Sequence, residues 1–301
     1  MKVKLIDSIP GSKLIAQKDD YIANFSKFDL QSRLGTSEEV SKEDLITFLS
    51  QQTIDWTQIE KDRIEKIFEE IENAYKQYQK ILPAEILLIK TTGLDEGDAA
   101  YTRKSCIYMP NSMIRWPYNE LKELITHELF HIISTFYPKF RNNLYAKLGF
   151  TSCPELKMPE EYRELYVTNP DTVKKNCYVE FRDFNGSETK AAPFLYSEQP
   201  YKGGYFFRYF RFCFLTIQLK DSICYPVYKN SQPKFINAPQ ALYDLCEEID
   251  PYNNQHRLHP EEILAYYWSL LAFPETELEY NKRSFLVKVR ECLENDRNNI
   301  Y

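Results

Sequence analysis

Only four histidines occur in the chain, and two of them stand in the run His127-Glu128-Leu129-Phe130-His131. On a helix, positions i and i+4 share a face, so the two imidazoles meet at one point, a spacing that grips a single zinc ion. Glu128, one position round, reaches the same point. A carboxylate there takes the proton of a water that a metal has made acidic. Chance supplies only about 0.01 such motifs in a chain of this size and histidine content.

A catalytic zinc takes three protein ligands and keeps a fourth position open. The three-histidine extension of the motif fails, because Tyr137 stands where the third histidine would be. A carboxylate from a second helix is the other common solution. The best stretch for it is His259-Pro260-Glu261-Glu262-Ile263-Leu264-Ala265-Tyr266, in which Pro260 suits a first helical turn. Two glutamates compete there. Glu262 shares its face with the small residues Ala265, Ser269 and Ala272, which allow close packing on the motif helix, and this favours it over Glu261. An acidic first turn stabilised by the helix dipole is the plain alternative for either one. Tyr252 and His256 precede this helix and are candidates to stabilise the oxyanion of a hydrolytic intermediate. His259 is read as a cap of the helix start.

These residues need elements to position them. Leu121, Leu124, Ile125, Leu129, Ile132 and Ile133 give the motif segment an apolar side, with Asn119 as N-cap and Pro138 as terminator. Residues 99–109 read as a strand leading into it. Residues 85–90 form a short buried strand before a Gly-Asp-rich turn. Upstream, helices are expected over 41–49 and 57–82, the second ended by Pro83. The first 35 residues are polar and mixed and yield no assignment. Downstream, residues 176–184 and 193–196 read as a hairpin around Asn185-Gly186. The aromatic run 203–218 reads as a strand, with 205–214 lining an apolar pocket as its less favoured role. Further helices are expected over 142–148, 241–249 and 283–293.

Composition bounds the function. The 301 residues carry 38 basic and 44 acidic side chains, a formal charge of −6, which leaves no basic footprint for nucleic acid. No apolar run is long enough to span a membrane. The first residues have no signal-peptide core, and the seven cysteines are scattered, so a cytoplasmic, reducing location is expected, with signal-less secretion as the other route.

The motif followed later by a helix-borne glutamate resembles the gluzincin class of zinc metallopeptidases, of which thermolysin is the familiar member. The segments AAYTRKSCIYMPNSMI, ELITHELFHIIS, VTNPD and HPEEILA are similar to a group of uncharacterised bacterial metallopeptidases, over about residues 85–275. The resemblance implies an α+β, zincin-like fold with one Zn2+ per chain. His127, His131 and Glu262 would be its ligands and Glu128 the general base, acting on a peptide or protein substrate. The expected layout is an N-terminal helical region over 1–84 and a catalytic domain over 85–301. That domain would have a small mixed sheet beside the motif helix, a β-rich insertion at about 150–240, and C-terminal helices. Two departures stand out. His131 and Glu262 are 131 residues apart in sequence, and Tyr266 occupies the place where gluzincins often carry an acidic residue that orients a ligand histidine. The competing expectations are a non-catalytic interaction protein with a structural zinc, and a protease delivered into another cell.

Overall fold

The computed structural model describes residues 1–182, 188–238 and 258–273, together with 287 and 289–291. It is a mixed α/β structure with several sheets. The first sheet has four strands in the order β1-β2-β4-β3: β1 (Lys2–Ile6), β2 (Glu85–Thr91), β4 (Cys106–Pro110) and β3 (Tyr101–Arg103). β1, β2 and β4 are parallel neighbours, and β3 closes the sheet antiparallel at the edge.

Side chains alternate across this sheet and feed two cores. Ile86, Leu88, Ile107 and Met109 face one side. There they meet α5 (Gln58–Ala74), through Ile64, Ile67, Phe68 and Ile71, and α6 (Tyr118–Phe136), through Leu121, Ile125, Leu129 and Ile132. Ile89, Cys106 and Tyr108 face the other side and meet α1 (Ser8–Ile15), α2 (Asp20–Ala23), α3 (Lys27–Leu34) and α4 (Lys42–Ser50). Burial on both faces explains why β4 has no exposed residue. Each fully buried Ile or Leu contributes about 1.5–3 kcal/mol.

α7 (Pro138–Lys147) follows α6 directly. The second sheet is antiparallel, in the order β12-β8-β7-β6-β5: β12 (Phe235–Ile236), β8 (Phe210–Lys220), β7 (Glu188–Ser197), β6 (Cys177–Arg182) and β5 (Phe150–Ser152). β9 (Ile223–Pro226) pairs with β8, and β10 (Tyr228–Lys229) with β11 (Gln232–Pro233). α8 (Pro260–Leu270) returns to lie on α6. There Trp268, fully buried, stacks on Tyr75 with ring centroids 4.7 Å apart.

Several expectations shift. The first 35 residues hold β1, α1, α2 and α3. The expected strand over 99–109 is two, β3 and β4, separated by Lys104 at positive φ. α6 begins at Tyr118 after Pro117, so Asn119 is not its cap, and Pro138 both stops α6 and starts α7. The long helix expected over 57–82 stops at Ala74. The run 203–218 opens with a 3-10 turn, Phe206–Tyr209, before β8, because Gly203 and Gly204 at positive φ break the extended chain. The helix expected over 241–249 and most of that over 283–293 lie outside the described residues. Among the described residues no helix is long and apolar enough to cross a membrane.

Candidate metal centre

α6 and α8 bring His127, His131 and Glu262 together. Glu262 Oε2 lies 3.3 Å from His127 Nε2 and 3.8 Å from His131 Nε2. Two donors each about 2.1 Å from one tetrahedral zinc stand about 3.4 Å apart, so these spacings suit a shared ion. The two rings sit 4.8 Å apart, nearly perpendicular. His131 makes the stronger case. Its Nδ1 faces Glu261 Oε1 at 3.0 Å, which fixes the proton on Nδ1 and leaves a lone pair on Nε2. That Nε2 is buried, has no hydrogen-bond partner, and looks toward a carboxylate oxygen. A lone pair facing an anion is relieved by a cation, so the donor set fits a metal.

Glu261 is fully buried, and its role is to hold His131. Besides His131, it accepts from Lys175 Nζ at 2.7 Å, from Tyr145 OH at 2.6 Å and from Ser134 Oγ. Burial alone would raise its pKa, but the Lys175 charge and the His131 contact outweigh that and hold the carboxyl well below the ordinary carboxylate range. Metal-binding histidines characteristically pass their second nitrogen to such a carboxylate. The residue before Glu262 thus does what the buried Tyr266 cannot. Glu262 shows the same balance as Glu261. Burial raises it, and positive charge on the two imidazoles brings it down to about 2, a stabilisation of the anion that a bound cation would supply instead. Its second oxygen, Oε1, accepts from Asn169 Nδ2 at 3.4 Å. His259 caps α8 as expected, its Nδ1 accepting from the Glu261 backbone N–H at 3.1 Å, and desolvation lowers its pKa to about 4.

Glu128 is buried beside the histidines, and its Oε2 accepts from Thr102 Oγ1 at 2.8 Å. Burial pushes its carboxyl up to about 7 against the pull of His131 and Thr102. A base poised near neutrality suits proton transfer. Ligand atoms converge within 4.8 Å in two overlapping groups, His127 with Glu128 and His131, and His131 with Asp171 and Glu262.

Asp171 is the residue that sequence reasoning missed. It sits in the 3-10 turn Pro170–Thr172, whose Asn169 side chain accepts from the Asp171 N–H. Its own Oδ1 accepts the Thr102 N–H at 2.8 Å. Burial, then the charges of Glu128 and Glu262, push its carboxyl well above the ordinary range. This turn is anchored from α3. Asp29 takes the Thr168 hydroxyl at 2.8 Å and its N–H at 3.2 Å, while Arg33 clamps Asp29 at 2.7 Å and Glu96. The VTNPD segment is the only trace of this in the sequence.

A cleft of about 640 Å³ opens on the site. Asp171, Lys175, His259 and Glu262 line its inner end, and Ala99, Ala100 and Tyr101 one flank. Phe194, Leu195, Phe207, Phe210 and Phe212 form an apolar wall, so residues 205–214 both pack and line. Gly97 is required here, since at φ +61 a Cβ would stand 2.5 Å from the Phe206 ring. Tyr252 and His256 lie outside the described residues. No family model, curated protein or solved structure matches this chain.

Proposed function

We propose that this protein is a zinc-dependent peptidase of zincin-like architecture, with His127, His131 and Glu262 as ligands and Glu128 as general base. The observation that carries the proposal is the His131 ring. It is braced by Glu261 on one nitrogen, and its other nitrogen is buried, partnerless, and converges with His127 and Glu262. Zinc, when bound, supplies the Lewis acidity that polarises a peptide carbonyl and acidifies a water. Glu128 takes the water's proton and passes it to the leaving amine nitrogen. Thr102 holds the carboxylate for both transfers. Glu261 keeps His131 in one tautomer throughout.

Metal analysis and a variant test it together. The purified chain should carry one zinc. Glu128→Gln should keep that zinc while peptide hydrolysis falls about 10²–10⁴-fold. A chain without stoichiometric zinc sinks the proposal, and undiminished hydrolysis by Glu128→Gln removes Glu128 from the role of base.

A further inference from the structure

The turn carrying Asp171 packs against β3, the edge strand of the first sheet. A free edge would offer its outward N–H groups to an extended peptide. Here the outward N–H of Thr102 is already spent on Asp171 Oδ1. Arg103, next along, is buried and tied to the Ile15 and Gln17 carbonyls and to Asp19. Beyond Tyr101 the edge is therefore closed, whereas Ala99, Ala100 and Tyr101 still line the cleft. A cleft closed on one side of the reacting centre admits the end of a chain rather than its middle.

Charge decides which end. Glu128, Asp171 and Glu262 converge at the closed end. Of the described cations lining the cleft, Lys175 is committed to Glu261 and Arg33 to Asp29 and Glu96, while Arg208 belongs to the 3-10 turn Phe206–Tyr209 beside the apolar wall. A peptide carboxylate would add to the crowding of carboxyls that already pushes Asp171 up, whereas an ammonium would relieve it and draw Asp171 into its ionised form.

Resting on the zinc-peptidase reading above, we propose that the substrates are peptides with a free amino terminus, and that Asp171 is the carboxylate that receives the terminal ammonium. The position also sets which bond is cut. A carboxylate oxygen of Asp171 is within 4.8 Å of ligand atoms of His131 and Glu262. In a peptide, only two bonds of about 1.5 Å each separate the amino nitrogen from the first carbonyl carbon. An amine at Asp171 thus brings the first peptide bond to the centre. Water adds its hydroxyl to that carbonyl carbon, the C–N bond breaks, and the remaining proton goes to the leaving nitrogen. The products are a free amino acid and a peptide shortened by one residue.

The zinc-loaded full chain is assayed on one peptide in three forms: free at both ends, N-acetylated, and C-amidated. Expected is release of the first residue from the free and amidated forms, with kcat/KM reduced about 100-fold or more by acetylation. Asp171→Asn should raise KM for the free peptide about tenfold or more while zinc stays at one per chain. Equal cleavage of the acetylated form, or internal cleavage, overturns this inference and leaves the zinc-peptidase reading standing. Loss of zinc in Asp171→Asn makes Asp171 a ligand and overturns the inference likewise. The comparison of peptide forms needs only the wild type, so it decides the question even where the variant misfolds. Absence of hydrolysis from all three peptides, and from an unbiased peptide library, by a zinc-loaded chain overturns both.

Discussion

The two walls of the cleft are each built round a buried charged hub, yet the hubs stand at different removes from the chemistry. In the helix wall, Glu261 gathers Lys175, Tyr145 and Ser134 and touches His131 directly. In the turn wall, Arg33 gathers Asp29 and Glu96, and Asp29 holds Thr168, three residues short of Asp171. Similar interactions thus serve different ends. One hub fixes the tautomer and orientation of a candidate ligand, and the other fixes where a short turn meets an edge strand. Stability should depend on both hubs, and metal affinity chiefly on the first.

The largest effect should come from stranding buried charge. Arg33→Met leaves Asp29 and Glu96 without their cation, and should cost about 3–5 kcal/mol in denaturant unfolding of the metal-free protein. Adding Asp29→Asn should recover part of that loss. A cost below about 1 kcal/mol would mean that the turn wall has no such hub.

Metal affinity separates the walls next. Glu261→Gln should weaken zinc binding about 10–100-fold in competition titrations, whereas Asp29→Asn should leave it unchanged. Equal weakening by both would erase the distinction between the two hubs.

A smaller effect concerns pH. His259 is neutral in the fold, with its pKa lowered by desolvation from 6.5 to about 4. Between these values the unfolded chain binds the proton and the folded one does not, so stability is present above 6.5 and is lost as pH falls toward 4. Because the ring lines the cleft and is only half-buried, about 1–2 kcal/mol is expected rather than the full linkage value. Unfolding curves of metal-free wild type and His259→Asn, which retains a capping side chain, should lie close together above pH 6.5 and separate toward pH 4, the wild type losing stability relative to the variant. Parallel curves would refute the assignment.

The smallest effect is at the junction of the walls. Thr102→Val removes the hydroxyl from Glu128 but keeps the backbone N–H on Asp171. It should cost about 0.5–1.5 kcal/mol in stability and slow hydrolysis without altering the preference between free and acetylated peptides. A changed preference would show that the two contacts are not separable.

The helix wall is largely legible in the sequence, because the i, i+4 histidines, the apolar spacing of α6 and the Pro260 start of α8 are local patterns. Sequence favours Glu262 over Glu261 as the metal-facing residue, and the geometry gives Glu261 a separate task that local pattern does not encode. The turn wall is not legible. Thr102 meets Asp171 across 69 residues and Arg33 meets Thr168 across 135, and nothing in the neighbourhood of either residue announces the other. The N-terminal segment is opaque for a related reason. β1 is five residues and α2 four, too short to show a period, and each is recognisable only by what it packs against. Lys175 stands in no sequence motif, and its part in the site is visible only in its burial against Glu261.

The separation of α6 and α8 in the chain has a consequence in time. Synthesis proceeds from the amino end at about 5–20 residues per second, so α8 emerges on the order of 10 s after α6. During that interval His131 has no Glu261 to set its tautomer, Lys175 has no counter-charge, and His127 has no Glu262 opposite it. A nascent chain of this protein therefore holds only half of the candidate centre until Glu262, 131 residues beyond His131, has been made.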